Sequence, residues 1–228
     1  MFHQEEKFAA ELSAAVASIA ADSGRVEIHF DVESTSLRGV GFALGGFVRQ
    51  GKRELMEFAL LARSEATLCG EWVQQNVLPH LADLPTVETV EDIYAAYGRL
   101  FNAVKSRVME LHGIKPWDTT ELRKRFVVVV DNGFPVEAGF EAACWRHLLA
   151  QASEPDRFAV EMGGAYMPCD ISTALDVLGY NPDLPRAEAA EALGVTGPKH
   201  NPVIDARQSA AVFDAARRGD PALDKYRV

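Results

Sequence analysis

Two carboxylates lie close together in the segment "VEIHFDVESTSL", residues 26 to 37, where Asp31 and Glu33 follow an apolar stretch. In a β-strand, alternate side chains point to the same face, so the two acids project together. Adjacent carboxylates repel each other, and one pKa rises unless a cation lies between them. Ligation by oxygen alone suits Mg²⁺ or Mn²⁺. A strand end that carries two solvated acids is the alternative, and the pair by itself favours that alternative.

A histidine and a further acid come late in the chain, in "KHNPVIDARQSAAVF", residues 199 to 213. Asn201 followed by Pro202 is typical of a helix N-cap and the first helical residue. This places Asp205 in the first turn of a helix and His200 in the loop just before it. A base beside a rigidly held acid is suited to hydrolytic chemistry. The alternative is an exposed histidine and an aspartate that favours the helix dipole.

A third group of acids lies in "VVVVDNGFPVEAGFEAACW", residues 127 to 145. The apolar run ends at Asp131, and a turn then leads into a helix that begins near Glu137. Phe140 continues the inner face of that helix. An acid at the start of a helix is also ordinary capping chemistry, so this segment does not indicate a site unaided.

The elements that must position these acids follow from the apolar patterns. Three strands with short, glycine-marked turns predict an antiparallel meander. The β-branched run "FVVVV" predicts a strand buried on both faces, and "AVEMGGAYMPCDI" is predicted to contain one more. Helices are predicted around 90–111, at 136–151 and from 170. We therefore predict an α/β fold, a mixed sheet flanked by helices. The predicted strands of the meander and the β-branched run are 25–33, 41–49, 53–62 and 126–130.

The N-terminal segment 1–24 is predicted to be a helical extension that precedes a domain at 25–219. Phe8, Leu12, Val16 and Ile19 recur at helical spacing, which indicates an amphipathic helix docked on the domain or on a partner. The segment lacks the basic start and compact apolar stretch of a signal peptide.

The composition limits the functional classes. Of the 228 residues, 48% are hydrophobic and 25% are charged, so the chain is expected to fold. The apolar runs are too short for a membrane span. The net charge of −10 argues against general nucleic-acid binding through a basic surface, although not against binding through a local patch. Three widely separated cysteines form no zinc-type pair and predict a reducing, cytoplasmic setting.

Taken in order, the three segments resemble the DEDDh branch of the DnaQ-like 3′–5′ exonucleases. The residues that carry the resemblance are "FDVESTSL", "VVVVDNGFPVEAGF" and "HNPVIDA", and it spans roughly residues 25 to 218. It implies a ribonuclease H-like fold, with a mixed five-stranded sheet of three antiparallel strands followed by parallel strands. The first and third motifs are specific as a pair, and the middle motif is weaker.

The middle motif departs from the family pattern. The family usually has an aspartate three residues before the helix phenylalanine, and Glu137 stands at that spacing from Phe140. The turn before it is one residue longer. Asp131 is the alternative third acid, and the sequence favours Glu137. A glutamate reaches farther by one methylene, so the metal geometry would be adjusted or impaired.

The resemblance implies two Mg²⁺ or Mn²⁺ ions held by Asp31, Glu33, Glu137 and Asp205, with His200 as the base that deprotonates the attacking water. The substrate would be the 3′ end of single-stranded DNA or RNA, seated by Ser34, Thr35 and Leu37. No membrane partner is expected, and a homodimer formed through the N-terminal helix is a further hypothesis. Arg123, Lys124, Arg125, Lys199 and Arg207 are candidates for contacts to the substrate backbone, and for any one of them the sequence favours a solvated surface charge.

Two other functions remain open from the sequence. One is a non-catalytic nucleic-acid-binding or scaffold protein with the same fold. This function remains open because Glu137 stands where the family usually has an aspartate. The other is a metal-dependent phosphoesterase that acts on a small nucleotide. The sequence does not decide between DNA and RNA, since contacts to the 2′-hydroxyl depend on side chains that it does not place.

Overall fold

The first strand, β1 (Val26–Ser34), separates two kinds of side chain between the two faces of the sheet. Its even-numbered residues, among them Ile28 and Phe30, are buried in the main apolar core. Its odd-numbered residues are polar, so the opposite face carries a row of ionisable groups. These are Glu27, His29, Asp31 and Glu33. The computed structural model describes residues 2–36, 39–131, 133–154, 157 and 168–228.

The sheet is mixed and has six strands in the described part of the chain. β1 pairs antiparallel with β2 (Gly41–Gln50), which pairs antiparallel with β3 (Arg53–Ala62). Gly51 adopts φ +59° in the tight β2–β3 turn, a conformation that favours glycine. β5 (Phe126–Val130) is parallel to β1, and β6 (Cys169–Asp170) is parallel to β5. The order across the sheet is β4-β3-β2-β1-β5-β6.

The prediction of five strands is wrong by one, because a short strand, β4 (Thr86–Val87), pairs parallel with the end of β3. After a helical excursion the chain returns to the sheet edge, where the Leu61 amide donates to the carbonyl of Pro85. Two residues are too few to show the alternation that marks a strand in a sequence. The predicted α/β class and the mixed sheet flanked by helices are confirmed.

The helices that contribute to the main apolar core are α1 (Phe2–Ser18), α4 (Val90–His112), α5 (Thr119–Arg125) and α6 (Ala138–Gln151). The predicted helix around 90–111 is α4, whose start is closed by a capping box between Thr89 and Asp92. The N-terminal helix α1 packs against β3 and α4 and buries Leu12 and Ala15, so it docks on this domain. Two short helices, α2 (Arg63–Ala66) and α3 (Glu71–Asn76), come before α4 in the chain.

The later helices cover the polar face of the sheet and its β6 edge. They are α7 (Ile171–Val177), α8 (Arg186–Ala192) and α9 (Pro202–Arg218), with 3₁₀ turns at Leu78–His80 and Pro221–Tyr226. α9 lies across β1 and β2. A Cβ atom at Gly45 would lie 2.7 Å from the Val203 amide nitrogen, so only a glycine lets the start of α9 approach this closely. Gly45 is directly opposite Asp31 in the β1–β2 pairing.

A groove of about 640 Å³ lies at the opposite edge of the sheet, between α1, β3, β4 and α4. Its walls mix apolar residues such as Phe8 and Leu60 with charged ones such as Lys7 and Arg99. None of the four acids proposed from the sequence lines it. Among the described helices, none has the length and apolar character needed to cross a membrane.

Candidate metal centre

The first two acids lie at the C-terminal end of β1 and on the same face. Asp31 pairs with Gly45 and Glu33 with Ala43, and the strand register shifts immediately after Glu33. The chain therefore leaves the sheet directly beyond the two acids. Their position at the sheet end agrees with the spacing argument, because the alternation of β1 carries both carboxylates to the α9 side.

The third acid comes from the first turn of α9. The Asn201 side-chain oxygen accepts hydrogen bonds from the amides of Val203 (3.1 Å) and Ile204 (3.4 Å), and Pro202 occupies the first turn as predicted. This cap holds the helix start beside the sheet. Asp31, Glu33 and Asp205 each offer one carboxylate oxygen, and these oxygens lie within 4.8 Å of one another.

Glu137 joins this group from the other side of Asp31. It ends a π-helical turn, Gly133–Glu137, that leads directly into α6. A π turn holds more residues than an α turn, so it accommodates the extra residue noted in the sequence. Glu137 is buried and lies close enough to Asp31 for the charge of its carboxyl group to raise the pKa of Asp31. Two carboxyl groups this close repel each other unless a proton or a cation lies between them.

Asp131, the alternative third acid, has a different partner. The Arg186 Nε donates to its Oδ1 at 2.6 Å. The same guanidinium also donates to the Ser172 hydroxyl at 2.8 Å and to the carbonyls of Pro182 and Leu184. Asp131 therefore fixes the loop before α8, and the geometry favours Glu137 beside Asp31. The nearby residue Asn132 lies outside the described residues.

His200 lies at the rim of the acid group. Its Nδ1 is 3.6 Å from Glu33 Oε1, and its ring makes a perpendicular contact with Trp72 at a centroid distance of 5.6 Å. Its φ of +60° is left-handed, which is uncommon for a residue other than glycine. Burial lowers the pKa of the imidazole, and the charges of His80 and Lys199 lower it further. The ring is therefore neutral near pH 7 and can accept a proton.

The four carboxyl groups have raised pKa values. Burial raises the pKa of Asp31 well above its usual range, and the charges of Glu137, Glu33 and Asp205 add to this. Burial, with the charge of Asp205, raises the pKa of Glu33 to about 7. Burial is also the largest cause at Glu137 and Asp205, and each pKa is raised to about 7. A crowded group of four acids with raised pKa values favours a divalent cation with oxygen ligands.

These shifts predict that the metal-free protein loses stability as the pH rises. A carboxyl group whose pKa is higher in the folded chain stabilises the fold below its ordinary pKa, and this contribution is lost as the pH rises through the folded value. For Glu33, Glu137 and Asp205 the window runs from about 4 to about 7. We therefore expect the melting temperature in EDTA to fall between pH 5 and pH 8, and Mg²⁺ or Mn²⁺ to reverse the fall.

The informative quantity is the difference in melting temperature with and without metal, because other buried groups also titrate. Burial raises the pKa of Glu141 to about 7 and lowers the pKa of His29, and these two residues act in opposite directions. Neither belongs to the acid group, so their contributions cancel when curves with and without metal are compared. Thermal unfolding at each pH with EDTA and with Mn²⁺ checks the prediction. An equal stabilisation by Mn²⁺ at pH 5 and pH 8 would contradict it.

The other residues proposed from the sequence have mixed outcomes. Ser34 and Thr35 follow the acids and shape the turn, where the Ser34 hydroxyl donates to the Ser36 carbonyl and Thr35 Oγ1 accepts from the Val40 amide. Leu37 lies outside the described residues. Arg207 is paired with Glu54 and Glu57 on β3, which makes it a link between α9 and the sheet.

The remaining basic residues also differ in their surroundings. Lys124 is paired with Glu121 on the same helix, α5. Arg123 and Arg125 are carried by α5 too, which leads into β5 at the start of that strand, whereas the acids lie beyond strand ends. Among the basic residues proposed from the sequence, Lys199 lies next to His200, and its charge acts on that imidazole.

Two features near the site were missed in the sequence. One is a buried network on the polar face of the sheet, where Arg49 on β2 bonds both Glu27 on β1 and Asp214 on α9. The alternation of Glu27 and His29 with the apolar residues of β1 was a signal for it. The other is the contact of Trp72 with His200. The two residues are more than 120 positions apart, and no pattern in the sequence links them.

Comparison with known proteins gives no relative: no protein-family model matches the chain, and no curated protein sequence matches it.

Proposed function

We propose that this protein is a metal-dependent 3′–5′ exonuclease that releases nucleoside 5′-monophosphates from single-stranded nucleic acid. The observation that carries the proposal is the convergence of Asp31, Glu33 and Asp205, with Glu137 close to Asp31 and His200 at the rim. These residues come from β1, the turn before α6, and the start of α9 with the loop that precedes it. Their meeting is difficult to explain as packing, because buried like charges destabilise a fold unless a ligand binds them.

The fold supports the same proposal. Three antiparallel strands are followed by strands parallel to β1, with β1 inside the sheet and the acids at its C-terminal end. This arrangement is consistent with the ribonuclease H-like fold that the resemblance implies. β4 is then an addition at the edge of β3, and β2 and β3 lie between it and the acid-bearing strand β1.

The residues fit an oxygen-ligated divalent cation. Asp31, Glu33, Glu137 and Asp205 would hold the two ions. Carboxylate oxygens are the ligands that Mg²⁺ and Mn²⁺ prefer. When bound, such ions supply Lewis acidity toward the attacking water and toward the leaving 3′ oxygen.

The proposed proton acceptor is His200. Its imidazole is neutral near pH 7 and lies in a partly exposed loop, where a water molecule can reach it. It takes a proton from the water that attacks the terminal phosphorus. The bond from that phosphorus to the 3′ oxygen of the preceding nucleotide breaks, and this oxygen acquires a proton. The products are a nucleoside 5′-monophosphate and a chain shortened by one nucleotide, with Ser34, Thr35 and Leu37 proposed to seat the 3′ end.

The test is a ladder assay on matched, 5′-labelled DNA and RNA oligonucleotides with Mg²⁺, Mn²⁺ or EDTA. We expect shortening by single nucleotides from the 3′ end with metal and none with EDTA. His200→Ala is expected to lower the rate by about 10²- to 10³-fold, the usual contribution of a positioned base. His112→Ala, at the end of α4, is the control and is expected to retain full activity.

The same assay separates the rival functions. Failure to shorten any single-stranded oligonucleotide from the 3′ end would overturn the exonuclease proposal. Binding of oligonucleotides without shortening would favour a non-catalytic nucleic-acid-binding protein. Release of phosphate or alcohol from a small nucleotide ester, with oligonucleotides left intact, would favour a phosphoesterase.

A further inference from the structure

An exposed tryptophan stands beside the candidate base. Trp72 is 61% exposed, although large aromatic side chains are usually mostly buried. Its helix, α3, is firmly held, since Val73 and Val77 are buried against Phe42 and Ala43 of β2. Ala43 pairs with Glu33. A well-packed helix thus presents an open indole ring at the end of the sheet that carries the acids.

The indole contacts the site directly. The rings of Trp72 and His200 are 5.6 Å apart and inclined at 86°, so they meet edge to face. His200 is in turn 3.6 Å from Glu33. A perpendicular contact leaves most of the tryptophan surface open to solvent, which agrees with its exposure. Whatever stacks on this ring therefore lies next to the reacting centre.

Basic side chains also lie beside the site. Lys199 and His80 are exposed, and both act electrostatically on His200. An aromatic platform flanked by cationic groups is the combination that binds single-stranded nucleic acid, with stacking for the bases and positive charge for the backbone.

We propose that Trp72 is the platform on which a nucleobase of the single-stranded substrate stacks, while Lys199 and His80 contact its phosphates. This inference rests on the proposed exonuclease function and adds a nucleobase subsite to it. The contact with His200 favours a nucleobase over a protein partner, because a protein docked on Trp72 would cover the candidate base. Stacking tolerates every base, so the subsite confers a requirement for an unpaired base without a sequence preference.

The kinetic test separates KM from kcat. Trp72→Ala is expected to raise the KM for single-stranded oligonucleotides by about 5- to 100-fold and to change kcat by less than about threefold, because a lost stacking contact weakens binding. Trp72→Phe is expected to recover most of the loss. An abasic site is placed in turn at each of the last three nucleotides of the oligonucleotide. At one of these positions it should weaken binding by the wild type, and at that position Trp72→Ala should cause no further loss of binding. A loss in kcat alone, or an equal loss on every abasic substrate, would overturn the proposal.

A binding test keeps the inference separate from catalysis. We expect oligo(dT) to quench the tryptophan fluorescence of the full chain, and Trp72→Phe to abolish the quenching. Trp117→Phe is the matched control, because Trp117 is 74% exposed in the turn after α4 and should not contribute. Quenching that depends on Trp72 without any shortening would refute the exonuclease and retain the subsite. Quenching that survives in Trp72→Phe, or its absence from the wild type, would refute the subsite.

Discussion

Replacing Asp31 with asparagine is expected to lower the rate of 3′–5′ shortening by about 10⁴-fold at saturating Mg²⁺ or Mn²⁺. Asp31 is the residue on which the other carboxylates converge, and all of them raise its pKa. Asp31 would be a ligand of the proposed ions, so loss of its charge is expected to remove several kcal/mol of transition-state stabilisation, where each 1.36 kcal/mol is a factor of ten. Initial rates in the ladder assay measure the effect.

The same substitution is expected to stabilise the metal-free protein. Asparagine removes one of several buried like charges, so at pH 8 in EDTA the melting temperature should rise by several degrees, since 1 kcal/mol corresponds to about 2–4 °C in a domain of this size. A residue that only supported the fold would show the opposite sign. Asp176→Asn, an exposed acid on α7, is the control for both measurements. Retained activity, or a clear loss of stability in EDTA, would remove Asp31 from the proposed site.

Replacing Arg49 with methionine is expected to lower the free energy of unfolding by about 3–5 kcal/mol, the usual cost of removing one partner from a buried ion pair. Arg49 bonds Glu27 at 2.6 Å and Asp214 at 2.5 Å, and its side chain is 13% exposed. Without it, two acids remain in a poorly hydrated space beside His29, whose ring stacks on Phe47 at 4.8 Å. Urea denaturation at pH 7 measures the change.

Arg207→Met is the matched control, because Arg207 also joins α9 to the sheet. Its partners Glu54 and Glu57 are largely exposed, so we expect a loss of about 1 kcal/mol or less. If Arg49→Met fails to fold, Arg49→Lys, which retains the charge, is measured instead. Its loss in free energy of unfolding should lie between the losses expected for the two methionine variants. Equal losses for the two methionine variants would show that burial of the Arg49 network contributes nothing.

The Arg49 effect should also depend on pH in a defined direction. Burial raises the pKa of Glu27, but the hydrogen bond to His29 and the charge of Arg49 outweigh it, and the pKa is lowered overall. A lowered carboxyl pKa stabilises the fold above the ordinary value, here 4.5, and this contribution is lost as the pH falls. The advantage of the wild type over Arg49→Met should therefore shrink below about pH 4.5.

The elements with strong local signals were predictable from the sequence. The β1–β3 meander, the "FVVVV" strand, α4 and the capped start of α9 depend on alternation, helical spacing and N-cap chemistry. The acids Asp31, Glu33 and Asp205 were predictable because their own elements carry them to strand and helix ends. Such signals lie within a few residues of the group that they position.

The remaining features depend on contacts between distant segments. The pairing of Asp131 with Arg186 joins residues 55 positions apart, and it gives Asp131 a cationic partner. The π turn before α6 depends on how the helix packs against the sheet, so its extra residue looked like a longer loop. The contact of Trp72 with His200 arises because α3 and the loop before α9 both lie at the same end of β2.

The position of α9 ties hydrolytic capacity to the completion of folding. This helix covers the polar face of β1 and β2, and it also supplies Asp205 beside the loop that holds His200. During synthesis from the N-terminus, Asp31 and Glu33 emerge about 170 residues before their partner. A nascent or clipped chain without α9 therefore has neither a covered sheet nor an assembled site. The proposed nuclease would be inert toward the nucleic acid around it until its last long helix docks.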